Sequence, residues 1–421
     1  MWHRWRDKSC SGRGRGRALG AGGAARRWWL VLAALAAFAT ACGGAATNGD
    51  SLGRARTTPT PTPKSEVEDI PPVDGWNTDW SKRSVKLSEL IRGLGASDPR
   101  DVIPPLDEPK FETVEAAAQW LDDREPVALL DLDTEARAYP LRILTWHEIV
   151  NDQVGDLPIA VTYCPLCNSA VGFSRTVNGE VLRFGTSGLL RNSDLVMWDR
   201  QTESLWQQIT GEAIVGELTG IRLEFIPTPI VSWNDFRERF PNGKVLSRET
   251  GFERAYGSNP YVGYDSSDRP FLFRDDTDER YPAMERVVGL TVNGTNKAYP
   301  FSVISKERGV NDVVAGEPVL VVWGSEGTAS ALDSPDIPQG RSVGAGLAYL
   351  RTVDGQVLTF DAQGDDTFKD RETGSTWDLL GNATAGPLAG AKLTPAVHAN
   401  HFWFAWAAFN EGSPVYTGSG G

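Results

Sequence analysis

The chain has 421 residues, with 42 Lys and Arg against 55 Asp and Glu, for a net charge of −13. At roughly 100–200 residues per domain this is two or three domains, and 10% aromatic residues are enough to build a core. Four Cys, four His and three Met exclude a disulfide-dense scaffold and any large metal cluster.

The charge is unevenly divided. Residues 1–41 carry eight basic residues and one Asp, net +7, and the remainder is net −20. So acidic a body excludes nucleic-acid binding through its bulk field, because phosphate contacts need clustered Lys and Arg. Residues 28–39, WWLVLAALAAFA, are an apolar run of twelve. A bilayer of ~30 Å needs about 20 residues, so this run reads as the core of a secretory signal. It ends in Ala39-Thr40-Ala41-Cys42, which resembles a bacterial lipobox with Cys42 as the lipidation site. Residues 42–68 include TPTPTP, lack apolar periodicity and read as a disordered tether. The expected location is therefore extracytoplasmic, with a lipid anchor in the membrane.

An N-terminal extension (69–126) follows, with a helix expected over 112–121. Beyond it, residues 127–170 align without a gap with residues 287–330. Both stretches carry Ala-Tyr-Pro, at 138–140 and 298–300, and Asn-Asp, at 151–152 and 311–312. Downstream, Asp199-Arg200-Gln201-Thr202 matches Asp370-Arg371-Glu372-Thr373, and Trp206 matches Trp377. The expected fold is a β-rich α+β protein of two sequence-related modules, an internal duplication, packed together. Each module is mainly short strands with about two helices. Module one spans 127–247 and module two 285–418, joined by an ordered loop over 248–284.

Within module one, VALLDL, IAVTYC, AVGFSRTV and EVLRFGT read as strands, with a hairpin turn at Asn178-Gly179. Its helices are expected in AYPLRILTWHEIVN (138–151) and in SWNDFRERF (232–240), with Ser232 as cap. In module two, HFWFAWAAF should form a buried helix.

The repeat separates scaffold from chemistry. Glu307 stands opposite His147, and Gly324 and Gly327 stand opposite Cys164 and Cys167. His398 and His401 face a stretch of module one without His. All five residues break the symmetry. VTYCPLCNSAVGF places the cysteine pair between two strands, the shape of a knuckle rather than of a helix N-terminus. One reading makes Cys164 and Cys167 a thiol redox site, with His147 as a nearby base. A second makes them copper or zinc ligands, together with His147, His398 or His401 and with Met197 as a soft option. A third is a structural disulfide in a ligand-binding module. Thr186, Ser187, Arg191, Asn192, Ser193 and Asp194 either line a pocket beside the thiols or stabilise a loop. Asn168 stands where a c-type haem motif needs His, and no nucleotide-binding glycine loop occurs. The acidic run RDDTDE (274–279) lacks calcium-loop spacing. A small molecule or a redox partner is the expected ligand.

Several stretches resemble one family in order: WSKRSVKLSEL (80–90), IPPLDEPKF (103–111), VTYCPLCNSAVGF (161–173), FGTSGLLRNSDLVMWDRQTESLWQQITGEAIVG (184–216), SRETGFERAYGSNPYVGY (247–264) and FWFAWAAF (402–409). The family is domain of unknown function 3179, and it has no assigned reaction. Some of its members resemble selenoproteins at Cys-Pro-x-Cys, which implies redox or nucleophilic use of this motif. Others lack the second Cys, which places Cys164 ahead of Cys167.

Overall fold

The computed structural model describes residues 75–132, 135–324, 327–364 and 366–419. The signal segment, Cys42 and the tether lie outside these residues. Strands dominate, and five helices occur among the described residues: α1 (Val114–Ala117), α2 (Leu141–His147), α3 (Trp233–Arg239), α4 (Phe301–Glu307) and α5 (Trp403–Phe409). None is long and apolar enough to cross a membrane.

Three sheets of four or five strands, with a small two-stranded one at Thr176–Val177 and Glu180–Val181, carry residues 90–246. Strands Pro126–Leu132 and Glu135–Pro140 form a hairpin flanked by Ile230–Ser232 and Lys244–Leu246. Ile149–Val154, Leu157–Cys164, Ser169–Ser174 and Phe225–Ile226 form an antiparallel four-stranded sheet. Phe184–Arg191, Asp194–Asp199, Leu205–Gln207 and Glu212–Val215 form a meander, edged by Leu90–Arg92.

Residues 286–402 form three comparable sheets. Arg286–Val292 and Thr295–Pro300 pair as a hairpin beside Val397–Phe402. Gly309–Val314, Glu317–Gly324, Ala345–Leu350 and Thr394–Pro395 make a four-stranded sheet. Phe360–Gly364, Thr367–Asp370, Thr376–Asp378 and Ala383–Ala385 make a meander.

Shared residues do shared structural work. Tyr139 donates to Asp152 at 2.5 Å, and Tyr299 to Asp312 at 2.8 Å. Asn151 clips the backbone of Phe184, and Asn311 that of Phe360. Trp206 donates to Asp199 at 2.8 Å, and Trp377 to Asp370 at 2.9 Å. Each bond satisfies a buried polar group that would otherwise cost about 1–3 kcal/mol. The two halves also share core. Val127, Val231 and Trp233 pack in one cluster with Leu320, Tyr349 and Trp377.

Asn178-Gly179 is the expected turn, with both φ angles positive (52° and 85°), as a two-residue hairpin requires. Ser232 caps α3 in a reciprocal box with Asp235. Three helices are shorter than expected. Over 112–121 only Val114–Ala117 is helical, because Phe111–Thr113 pairs with Lys244–Leu246. Over 138–151 only α2 is helical. Pro140 ends a strand before it, and Glu148 stops it with φ 56°. In HFWFAWAAF, His401 and Phe402 belong to a strand, and α5 begins at Trp403, buried as expected. In the acidic run 274–279, Asp278 pairs with Arg280 at 2.8 Å.

Candidate functional site

Strand Leu157–Cys164 delivers Cys164 to the start of a tight turn, where Pro165 opens one turn of 3₁₀ helix ending at Cys167. Asn168 adopts left-handed geometry (φ 48°), which Asn tolerates better than most residues. Strand Ser169–Ser174 then returns antiparallel, with Ser169 opposite Cys164. This is the knuckle expected from the sequence. It supplies no helix dipole to stabilise a thiolate.

A second hairpin closes over the thiols. Asn192 and Ser193, with φ 51° and 65°, turn between Phe184–Arg191 and Asp194–Asp199. The segment 184–194 is therefore strand and turn. The Ser193 carbonyl accepts from Cys167 at 3.6 Å and from Cys164 at 3.9 Å. Both cysteines are free and buried, at 2% and 0% exposure. Their sulfurs and an Asp194 carboxylate oxygen lie within 4.8 Å of one another. Asp194 Oδ2 accepts from Gln207 at 2.6 Å and from the Ile209 amide at 3.0 Å. Its other oxygen, Oδ1, is buried without a hydrogen-bond partner.

The electrostatics follow from burial. Desolvation pushes both thiols up, Cys167 most strongly, and the nearby Asp194 charge adds to this. Burial raises Asp194 to about 6 against the bonds from Gln207 and Ile209. Burial, with the Asp194 charge, raises Glu148 to about 8. Two carboxyl groups and two thiols thus share one buried region, and desolvation is the largest cause of the upward shift of each.

The same corner of the second half is built differently. Arg308 occupies the place of Glu148, with nearly the same backbone (φ 61°, ψ −30°), and ion-pairs with Asp366 at 2.7 Å. Gly324 occupies the place of Cys164. A Cβ there would lie 2.5 Å from Asp366 Oδ1, so a larger residue would require the Asp366 side chain to move. A neutral ion pair fills the space that holds thiols and acids in the first half.

A cavity of about 580 Å³ adjoins the thiol turn. Leu166, between the two cysteines, and Leu195, next to Asp194, belong to its wall, as do Glu148 and Thr186. Residues 260–271 of the connecting segment cover it with Tyr261, Tyr264 and Phe271. Of the expected pocket residues only Thr186 lines it, its hydroxyl bonded to the Ile103 carbonyl at 2.8 Å. Ser187 turns its hydroxyl to the Val196 carbonyl, and Ser193 turns its own to the Phe271 carbonyl at 2.5 Å. Arg191 pairs with Glu89 at 2.8 Å. Asn192 serves the turn, and Asp194 joins the thiols.

The histidines stand apart from the sulfurs. His147 Nδ1 donates to the Pro104 carbonyl at 2.7 Å, so its Nε2 accepts from the Tyr256 hydroxyl at 2.6 Å. Both ring nitrogens are committed, and burial lowers its pKa to about 4. His398 donates from Nδ1 to Ala396 and accepts from the Ala348 amide at Nε2. His401 packs against Trp406, with ring centroids 5.6 Å apart. Both lie buried in strand Val397–Phe402, neither on a helix nor at the surface. Met197 is core. Among the described residues, the one group of converging metal-ligating side chains is Cys164, Cys167 and Asp194.

Sequence reasoning missed Glu148, Tyr261 and Tyr264. Glu148 left a trace: it aligns with Arg308 when residues 127–170 are set against 287–330, a difference as sharp as that at the cysteines.

The family described as Protein of unknown function (DUF3179) matches residues 100–413, well over half of the chain, and the chain belongs to that family. No curated protein and no solved structure matches it significantly.

Proposed function

We propose that the protein is an extracytoplasmic lipoprotein, anchored through Cys42, whose duplicated modules have diverged so that the first holds a soft metal ion, copper(I) or zinc. Its ligands are Cys164, Cys167 and Asp194. The observation that carries this reading is the convergence of two thiol sulfurs and an oxygen of the buried Asp194 carboxylate within 4.8 Å of one another. Around a tetrahedral ion with ~2.3 Å bonds to sulfur, donor atoms lie about 3.5–4 Å apart, so small side-chain shifts suffice. A metal cation would also supply what the region lacks, a positive charge that makes thiolates favourable despite burial. The duplication reading is supported by the matching order of sheets and by the paired Tyr–Asp, Asn–backbone and Trp–Asp bonds.

Metal analysis of protein purified without chelator and under reductant tests the reading. About one equivalent of copper or zinc is expected, and it should be lost in Cys164→Ser. A metal-free wild-type protein rejects it.

A second reading keeps the pair as a redox couple, favoured by two free sulfurs held near one another across two residues. Oxidation would join Sγ of Cys164 to Sγ of Cys167 and pass two electrons and two protons to a small disulfide substrate. Mass spectrometry across a redox titration decides it. A reversible loss of two protons supports the couple, and an unchanging dithiol mass removes it.

A further inference from the structure

The cavity beside the thiols has a chemistry of its own. Its volume, about 580 Å³, falls within the ~300–1,000 Å³ of small-molecule sites. Leucine, isoleucine, valine and phenylalanine side chains make most of its wall, and no Lys, Arg or His lines it. Val262 and Phe271, which line it, are 54% and 55% exposed and mark where it meets solvent.

One acid faces this space. Glu148 is only 8% exposed, and its carboxylate takes no hydrogen bond and no ion pair among the described residues. An isolated buried carboxylate is unfavourable, and it is relieved either by a proton or by a cation. The fold already shows the second solution at the equivalent corner, where Arg308 meets Asp366. Two tyrosines, Tyr261 and Tyr264, add ring faces of the kind that attract cations. A hard metal ion is a poor fit, because it needs six or more oxygens and these walls are apolar.

We propose that this cavity binds a small organic amine, with its ammonium on the Glu148 carboxylate and its apolar or aromatic body between the tyrosines and the leucine wall. The amine site adjoins the proposed metal site without using its ligands, since neither cysteine nor Asp194 lines the cavity.

Calorimetry on the full chain, stripped of metal with chelator, separates the two ideas. The probes share one skeleton: 2-phenylethylamine, 2-phenylethanol and phenylacetate. The amine should bind at least about tenfold more tightly than the alcohol, as a charge-assisted contact implies, and the carboxylate should not bind. Glu148→Gln should bring the amine down to the level of the alcohol. Val262→Arg, a change at the exposed rim that leaves the core intact, should also weaken the amine selectively. Equal binding of amine and alcohol, binding of none of the three, or an amine preference that survives both variants overturns the proposal. Binding of amine by metal-free protein leaves the metal reading to its own analysis.

Discussion

Glu148 and Arg308 occupy the same corner of the two halves, each at positive φ directly after a seven-residue helix, with opposite charges. Arg308 has its counter-ion in Asp366, whereas Glu148 has none among the described residues. The pair shows that the fold tolerates charge at this position and that the first half leaves it uncompensated.

That imbalance predicts a pH dependence in metal-free protein. Folding raises Glu148 from 4.5 to about 8 and Asp194 from 3.8 to about 6. The folded state therefore binds these protons more tightly than the unfolded one. Their contribution is fully present below about pH 4 and is lost as pH rises towards 8, at up to about 1.4 kcal/mol per pH unit for each proton held differentially. Urea denaturation from pH 5 to 8 should show stability falling across this window. Glu148→Gln should flatten the upper part of the curve. A wild-type curve that rises from pH 5 to 8 would contradict the assignment.

Burial of both sulfurs predicts sluggish thiol chemistry in the native state. With thiol pKa values raised and no helix dipole or cation nearby, the thiolate fraction at pH 7 should fall below that of a free cysteine. A chromogenic disulfide reagent should react with native protein at least about tenfold more slowly than with denatured protein. Equal rates in the two states would show that the thiols are exposed.

His147 should behave as a structural residue. Its two nitrogens tie Pro104 to Tyr256, which in turn accepts from Thr250. His147→Phe should cost about 1–3 kcal/mol in denaturation, because it strands the Pro104 carbonyl and the Tyr256 hydroxyl. Thiol reactivity and metal content should stay at wild-type levels. A large change in thiol rate without loss of stability would restore His147 as a base.

How much of this was legible in the sequence depended on range. The knuckle at Cys-Pro-Leu-Cys is local: Pro165 fixes the turn, and β-branched runs on either side require strands. Asn178-Gly179 and Ser232 were readable for the same reason. The overlong helix over 138–151 arose because apolar spacing there suits a helix, whereas pairing of Ile149–Val154 with Leu157–Cys164 is tertiary. The site itself was half visible. Cys164 and Cys167 announced themselves by rarity. Asp194 was grouped with pocket residues, but its place beside the sulfurs depends on a hairpin folding over the knuckle. Tyr261 and Tyr264 lie about a hundred residues along the chain, in a segment without periodicity, and only the fold brings them back. The histidines were rare too, and rarity misled there, because their partners are backbone carbonyls, an amide and a tyrosine that no spacing encodes.

Asp194→Asn is the sharpest single test of the site. The amide oxygen can still accept from Gln207 and from the Ile209 amide, so the turn beside the thiols should keep its shape. What changes is charge. One anionic ligand is lost, so affinity for copper or zinc should fall by at least about 10–100-fold, the loss that removing even an outer partner of a ligand brings. The same loss removes an anion that holds both thiol pKa values up. Alkylation of the metal-free variant should therefore be faster than that of wild type at pH 8, although the metal is bound less well. A general loosening of the fold would also speed alkylation and weaken metal binding, but it would lower the denaturation midpoint, whereas Asp194→Asn should not. If metal affinity holds and alkylation does not accelerate, Asp194 plays no part in the thiol chemistry.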